Sequence, residues 1–178
     1  MSLLTAISII WGAFLVYWLV SAFGAKTRKG SARFGTRIPI VLLVVGVARL
    51  FHGHSLTVHS TPLKVVGVIV LVAGLGLAVW ARIYLGRNWG MPMTEKEEPE
   101  LVTSGPYRFV RHPIYSGILL GLVGSALATN GYWLIVFGVC LLYFIYSARV
   151  EEGIMTNTFP TAYPSYRART KMLIPFVL

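Results

Sequence analysis

The sequence predicts an all-α, polytopic membrane protein with five transmembrane helices, and three observations carry that prediction. Hydrophobic residues fill 56% of the 178 positions and charged residues only 12%. Long apolar runs recur at lengths near the ~20 residues that a helix needs to cross a bilayer. Lysine and arginine gather between alternate runs, as they do in a protein that crosses the membrane repeatedly. By length the chain is one domain, divided into an N-terminal three-helix membrane region, residues 1–86, and a C-terminal region, residues 87–178, that carries the polar chemistry.

The first run, Leu3 to Gly24, has no basic residue before it and no clear small-residue cleavage pattern after it, so it is expected to be a retained span rather than a signal peptide. The second, Ile38 to Phe51, is short and must tilt little or extend into its flanks. The third, Pro62 to Leu85, carries Gly67, Ala73, Gly74, Gly76 and Ala78, small residues that permit close helix packing in lipid. Its GLG at Gly74 to Gly76 lacks the preceding strand of a nucleotide-binding loop and is read as packing. The fourth and fifth, Pro113 to Thr129 and Tyr132 to Ala148, are joined by Asn130 and Gly131, a turn that forces an antiparallel helical hairpin. The tail from Glu151 mixes aromatic, basic and apolar residues in the manner of a segment lying at a membrane surface.

The net charge of +10 has no need of a nucleic acid. Lys26 to Arg37, Arg82 to Arg111 and Arg149 to Lys171 share one side if the chain crosses five times, with only Arg49 and Lys64 towards the other. The positive-inside rule makes that side the cytoplasm, with the amino terminus outside and the carboxyl terminus inside. Basic loops there also attract anionic lipid headgroups. The lone Cys140 excludes an internal disulfide and a multi-cysteine zinc site. His52, His54 and His59 have no zinc-like spacing and no carboxylate on their face, so no metal site is expected. The chain has no aspartate, which argues against magnesium-dependent lipid phosphotransfer.

Charge gathers again where the fourth span begins, in GPYRFVRHPIYSG, Gly105 to Gly117. Pro113 suits the first turn of a helix, where a backbone N–H would have no partner, and this puts His112 at the cap and Tyr115 two positions into the helix. Imidazole, phenol and the free N–H groups of a helix start suit an anion such as a carboxylate. The same residues would also serve as an interfacial aromatic and arginine belt. The fifth span ends in SARVEEG, so Arg149, Glu151 and Glu152 come where the apolar run stops. A carboxylate there would hold an ammonium group or pair with Arg111 or Arg149. The hairpin turn brings the start of one span to the end of the next, which places His112 near Glu151.

LVTSGPYRFVRHPIYSG, the Glu151-Glu152 pair and the tail YPSYRARTKMLIP together resemble the isoprenylcysteine carboxyl methyltransferase family of integral membrane enzymes, over roughly Gly86 to Pro175. The resemblance implies methyl transfer from S-adenosylmethionine, with the cofactor in a cytoplasmic pocket between the last two helices, the preceding loop and the tail. It implies that Glu100, Leu101, Val102 and Tyr107 line the cofactor entrance, that His112, Pro113, Ile114 and Tyr115 form the helix start, and that Glu151 and Glu152 hold the cofactor from the fifth span. Arg149, Arg111 and Glu151 become the candidate catalytic residues. Eukaryotic relatives often carry an arginine four residues before that glutamate, where this chain has Ser147. A sulfonium methyl is already activated, so the reaction needs alignment and a dry pocket more than a metal.

The expected acceptor is lipophilic or prenylated, most simply a carboxylate, which needs no general base. Phospholipid or other amine N-methylation is the alternative within the resemblance, and a non-catalytic lipid- or ligand-binding membrane protein is the alternative from another class.

Overall fold

The structure, a computed structural model, describes residues 2–22, 56–86 and 100–175. Among these residues it is all-helical: α1 (Leu3–Ala22), α2 (Thr61–Leu85), a short 3-10 turn (Gly105–Arg108), α3 (Pro113–Ala128), α4 (Trp133–Thr158) and α5 (Ala162–Arg169). Helices α1, α2 and α4 are long and apolar enough to cross a membrane, while α3 is a shorter apolar helix. The predicted span from Ile38 to Phe51 lies outside the described residues, as do His52, His54 and the glutamates Glu95, Glu97 and Glu98.

Glycine decides how α2 meets α3. A Cβ built on Gly74 would fall 2.5 Å from the backbone nitrogen of Gly121, and one on Gly117 would fall 2.5 Å from the carbonyl oxygen of Gly74. Gly67 and Gly124 likewise face the backbones of Ala128 and Leu71. In lipid, where burial of apolar surface gives little drive for association, this backbone-to-backbone approach is what lets dispersion hold two helices together. Gly76 has nothing within 4 Å, so only part of the small-residue set read from the sequence lies in the seam. α1 packs Ile7 and Phe14 on Leu71, Leu75 and Ala78. The Trp11 indole N–H donates to Ser125 Oγ at 3.0 Å.

The Asn130-Gly131 turn forms as expected. Asn130 Oδ1 accepts from the Tyr132 N–H at 3.1 Å, and the segment before α2 clamps the turn through Val58 N–H to Thr129 O at 2.8 Å and Gly131 N–H to Leu56 O at 3.0 Å. At the other end of the bundle, Arg82 joins the ends of α1 and α2 by donating to the carbonyls of Ser21 at 2.5 Å and Gly86 at 2.7 Å.

One boundary differs from the sequence prediction. The helix expected to stop at Ala148 runs to Thr158. Hydropathy marks where a helix leaves lipid, whereas its end is set by where its buried face and backbone bonding stop. Here Ser147, Ala148 and Glu152 continue the buried face, so Glu151 and Glu152 sit within a rigid helix rather than beyond it.

Candidate active site

The site forms where α3 starts and the extended α4 passes beside it. Pro113 takes the first turn of α3 and His112 its cap, with no side-chain capping bond, so the imidazole is available to α4. The segment after α5 holds this start in place. Arg111 N–H donates to Lys171 O at 2.8 Å, His112 N–H to Met172 O at 3.0 Å, and Ser116 Oγ–H to Leu173 O at 2.5 Å. Leu173 is itself buried in the core.

The two glutamates divide the surrounding charge. Glu152, whose side chain is 5% exposed, accepts from Arg111 Nε at 2.7 Å and lies 3.4 Å from both His112 Nε2 and Arg167 Nε. Arg111 also donates to the carbonyls of Thr170 and Arg167. Glu152 and Arg111 therefore join α4 to the loop and to α5, and their charges neutralise one another out of water. Glu151 is more open, with 26% of its side chain exposed. Its Oε1 accepts the Tyr115 hydroxyl at 2.5 Å and its Oε2 lies 3.5 Å from His112 Nδ1.

An aromatic column completes the wall. His112 stacks on Tyr115 with ring centres 5.4 Å apart, and Tyr115 stacks on Phe144 of α4 at 4.4 Å. The 3-10 turn adds Tyr107, whose carbonyl accepts the Tyr166 hydroxyl at 2.5 Å. Burial pulls the His112 imidazolium down, but Glu151 and Glu152 together outweigh it and hold the imidazole above its ordinary value. Burial pushes the Tyr166 phenol up to about 12 and raises those of Tyr107 and Tyr163, so all three are neutral hydrogen-bonding groups at physiological pH.

Of the residues singled out in the sequence, the structure brings together Arg111, His112, Tyr115, Glu151 and Glu152. Pro113 and Ile114 are buried at the helix start, and Val102 packs on the same core cluster as Tyr107. Leu101 is half-buried and Glu100 exposed. Arg149 is exposed. Sequence reasoning missed Phe144, Ser116, Arg167 and Leu173. Phe144 was legible in principle, since it lies two helical turns before Glu151 on one stripe. The tail contacts had no local signal.

Fold and site together define a helical membrane protein with two glutamates, a histidine and an arginine gathered at one end of its bundle. The phospholipid methyltransferase family model matches residues 63–162, and the chain belongs to that family. Curated relatives include protein-S-isoprenylcysteine O-methyltransferase B of Arabidopsis thaliana, 32% identical over 116 residues, which cover 62% of this chain and 58% of that protein. The nickel-cobalt-cadmium resistance protein NccN of Alcaligenes xylosoxydans xylosoxydans is 31% identical over 142 residues, covering 76% of this chain and 62% of the relative. Methanethiol S-methyltransferase 1 of Bradyrhizobium diazoefficiens is 33% identical over 82 residues, 46% of this chain and 28% of that protein. The chain thus spans about three-fifths of the length of the first two of these relatives. The resemblance read from the RHPxY box, the glutamate pair and the tail is borne out.

Proposed function

We propose that the chain is a membrane methyltransferase that uses S-adenosylmethionine and acts on a lipophilic acceptor at the cytoplasmic face. The observation that carries this reading is Glu151, a partly open carboxylate fixed by Tyr115 and His112 beside the start of α3. A carboxylate so held fits a ligand bearing a cationic group, which would lie towards Glu151. When bound, the cofactor supplies an activated methyl group.

The chain's own residues would contribute position and dryness. Glu151 is held by two partners and so keeps its orientation. The Tyr115 and Phe144 rings exclude water on one side, and the tail closes the start of α3 through Leu173. Positioning of this kind can contribute about 7 to 11 kcal/mol to a bimolecular transfer. The names of the relatives span oxygen, sulfur and phospholipid acceptors, and an apolar acceptor tail would reach the site from the bilayer.

Titration of the purified full chain with S-adenosylmethionine tests the reading. Saturable binding is expected, weakened at least about tenfold by Glu151→Ala, the cost of one charged contact, and weakened also by His112→Ala. Unchanged binding in both variants would sink the assignment. Tight cofactor binding without methyl transfer to any component of a lipid extract would favour a ligand-binding protein.

A further inference from the structure

Positive charge gathers on the outside of the segment that pins the site. Arg169 ends α5, Lys171 follows it, and both side chains are exposed. The backbone bridge between Val110 and Lys171 sets this segment beside the loop before α3, whose Arg108 and Phe109 are exposed as well. The Arg108 guanidinium lies over the Phe109 ring, 4.5 Å from its centre, and Ile174 adds a further exposed apolar side chain. Gly105 of the same loop lies against the Tyr84 ring near the end of α2, which puts the loop at the level where that apolar helix stops.

No carboxylate pairs with Arg108, Arg169 or Lys171 among the described residues. Glu152 is taken up by Arg111, with His112 and Arg167 close by, and Glu151 by Tyr115 and His112. Like charges held near one another repel, so such a cluster favours an anion from outside the chain. A soluble anion would meet the cations and leave Phe109 and Ile174 in water. The headgroup layer of an anionic bilayer satisfies both, since apolar side chains enter the acyl boundary while the cations meet phosphates.

We propose that this patch binds anionic phospholipid headgroups, and that the bound lipid strengthens the hold of residues 170–173 on the start of α3. The carbonyls of Lys171 and Met172 accept from the N–H groups of Arg111 and His112, and that of Leu173 accepts from Ser116. With those bonds made, Arg169 and Lys171 lie beside Arg108 and Phe109; releasing the segment splits the patch in two. An anionic surface therefore binds the docked arrangement more tightly than the released one and shifts the population towards it. The docked arrangement is also the one that holds Arg111 and His112 against the two glutamates, so lipid and cofactor reinforce each other's binding. The link to the cofactor rests on the methyltransferase reading, whereas the lipid patch does not.

The test compares the full chain in nanodiscs of phosphatidylcholine with and without phosphatidylglycerol. Phosphatidylglycerol is expected to tighten S-adenosylhomocysteine binding by about fivefold, the scale of one basic residue near an anionic surface. The triple variant Arg108→Gln, Arg169→Gln, Lys171→Gln should lose that gain while binding S-adenosylhomocysteine in phosphatidylcholine alone as the wild type does. Lys64→Gln, near the opposite end of α2, should keep the gain, which separates the patch from net charge. Retention of fluorescent phosphatidylglycerol by the detergent-solubilised chain is a readout independent of the cofactor, and it should fall at least about tenfold in the triple variant. Equal retention in the two proteins would overturn the lipid patch. Cofactor affinity indifferent to phosphatidylglycerol, with retention lost in the variant, would overturn the link to the site. Failure of the wild type to bind S-adenosylhomocysteine in either nanodisc would overturn the methyltransferase reading, and the retention measurement alone would then decide the patch.

Discussion

His112 shows how a single side chain can join two functions at this site. Its ring nitrogens lie 3.5 Å from Glu151 and 3.4 Å from Glu152, so the imidazolium serves the open carboxylate and the buried one at once. Both contacts favour the protonated ring, which is why its pKa is raised despite burial. The consequence for stability has a definite sign. A raised folded-state pKa contributes stability that is fully present below the unfolded value of about 6.5 and is lost as pH rises through the folded-state value. The melting temperature should therefore fall on the alkaline side of about pH 6.5 by more in the wild type than in His112→Gln, which cannot titrate. Parallel curves for the two proteins between pH 6 and 9, to roughly the same precision, would remove His112 from the charge network. The sequence placed His112 near Glu151 by the hairpin argument, but gave Glu151 and Glu152 one shared role. Their division follows from which side of α4 meets Arg111 and Arg167, a contact between elements far apart in the chain.

Among the elements, α2 and α3 are the most closely fitted pair, because glycines on both sides let the backbones touch. The seam runs through Gly67 and Gly74 on one helix and Gly117, Gly121 and Gly124 on the other. Gly74→Leu must force the helices apart, a strain of at least about 1 to 3 kcal/mol by comparison with overpacked cores. Gly76→Leu, two residues away and facing open space, should cost little. A thermal melt of the two variants in one detergent checks this, and equal losses would place the seam elsewhere. The seam also bears on the site, since α3 carries Tyr115 at the end where α2 carries Arg82. The small-residue pattern was legible from the sequence, but Ala73 and Gly76 belong to it by composition and not by contact. Only the rotation of α2 about its axis separates the two sets. α4 teaches the complementary lesson: its membrane run was readable, while its further ten residues depended on packing against α3 and the tail.

For the whole molecule, the arrangement proposed in the membrane has the site in the cytoplasm and the Asn130-Gly131 turn outside, as the placement of lysine and arginine requires. In a Cys140→Ala background, a maleimide that cannot cross the membrane should label Ser60→Cys, before α2, in intact cells, and Ser165→Cys, on α5, only after permeabilisation. Both positions are exposed, and the reverse pattern would invert the topology. The sequence by itself determined the helical membrane class, the hairpin, the charged start of α3 and the family, because hydropathy, turn chemistry and short motifs are local properties that survive without knowledge of contacts. The tertiary structure alone decided that Arg111 neutralises Glu152 instead of standing free for an acceptor, that Arg149 is exposed, that the tail pins His112, and that Ser147 is buried without a partner among the described residues. These depend on distances between groups far apart in the chain, and in a medium of low dielectric such distances decide whether a charge is available for chemistry or already satisfied.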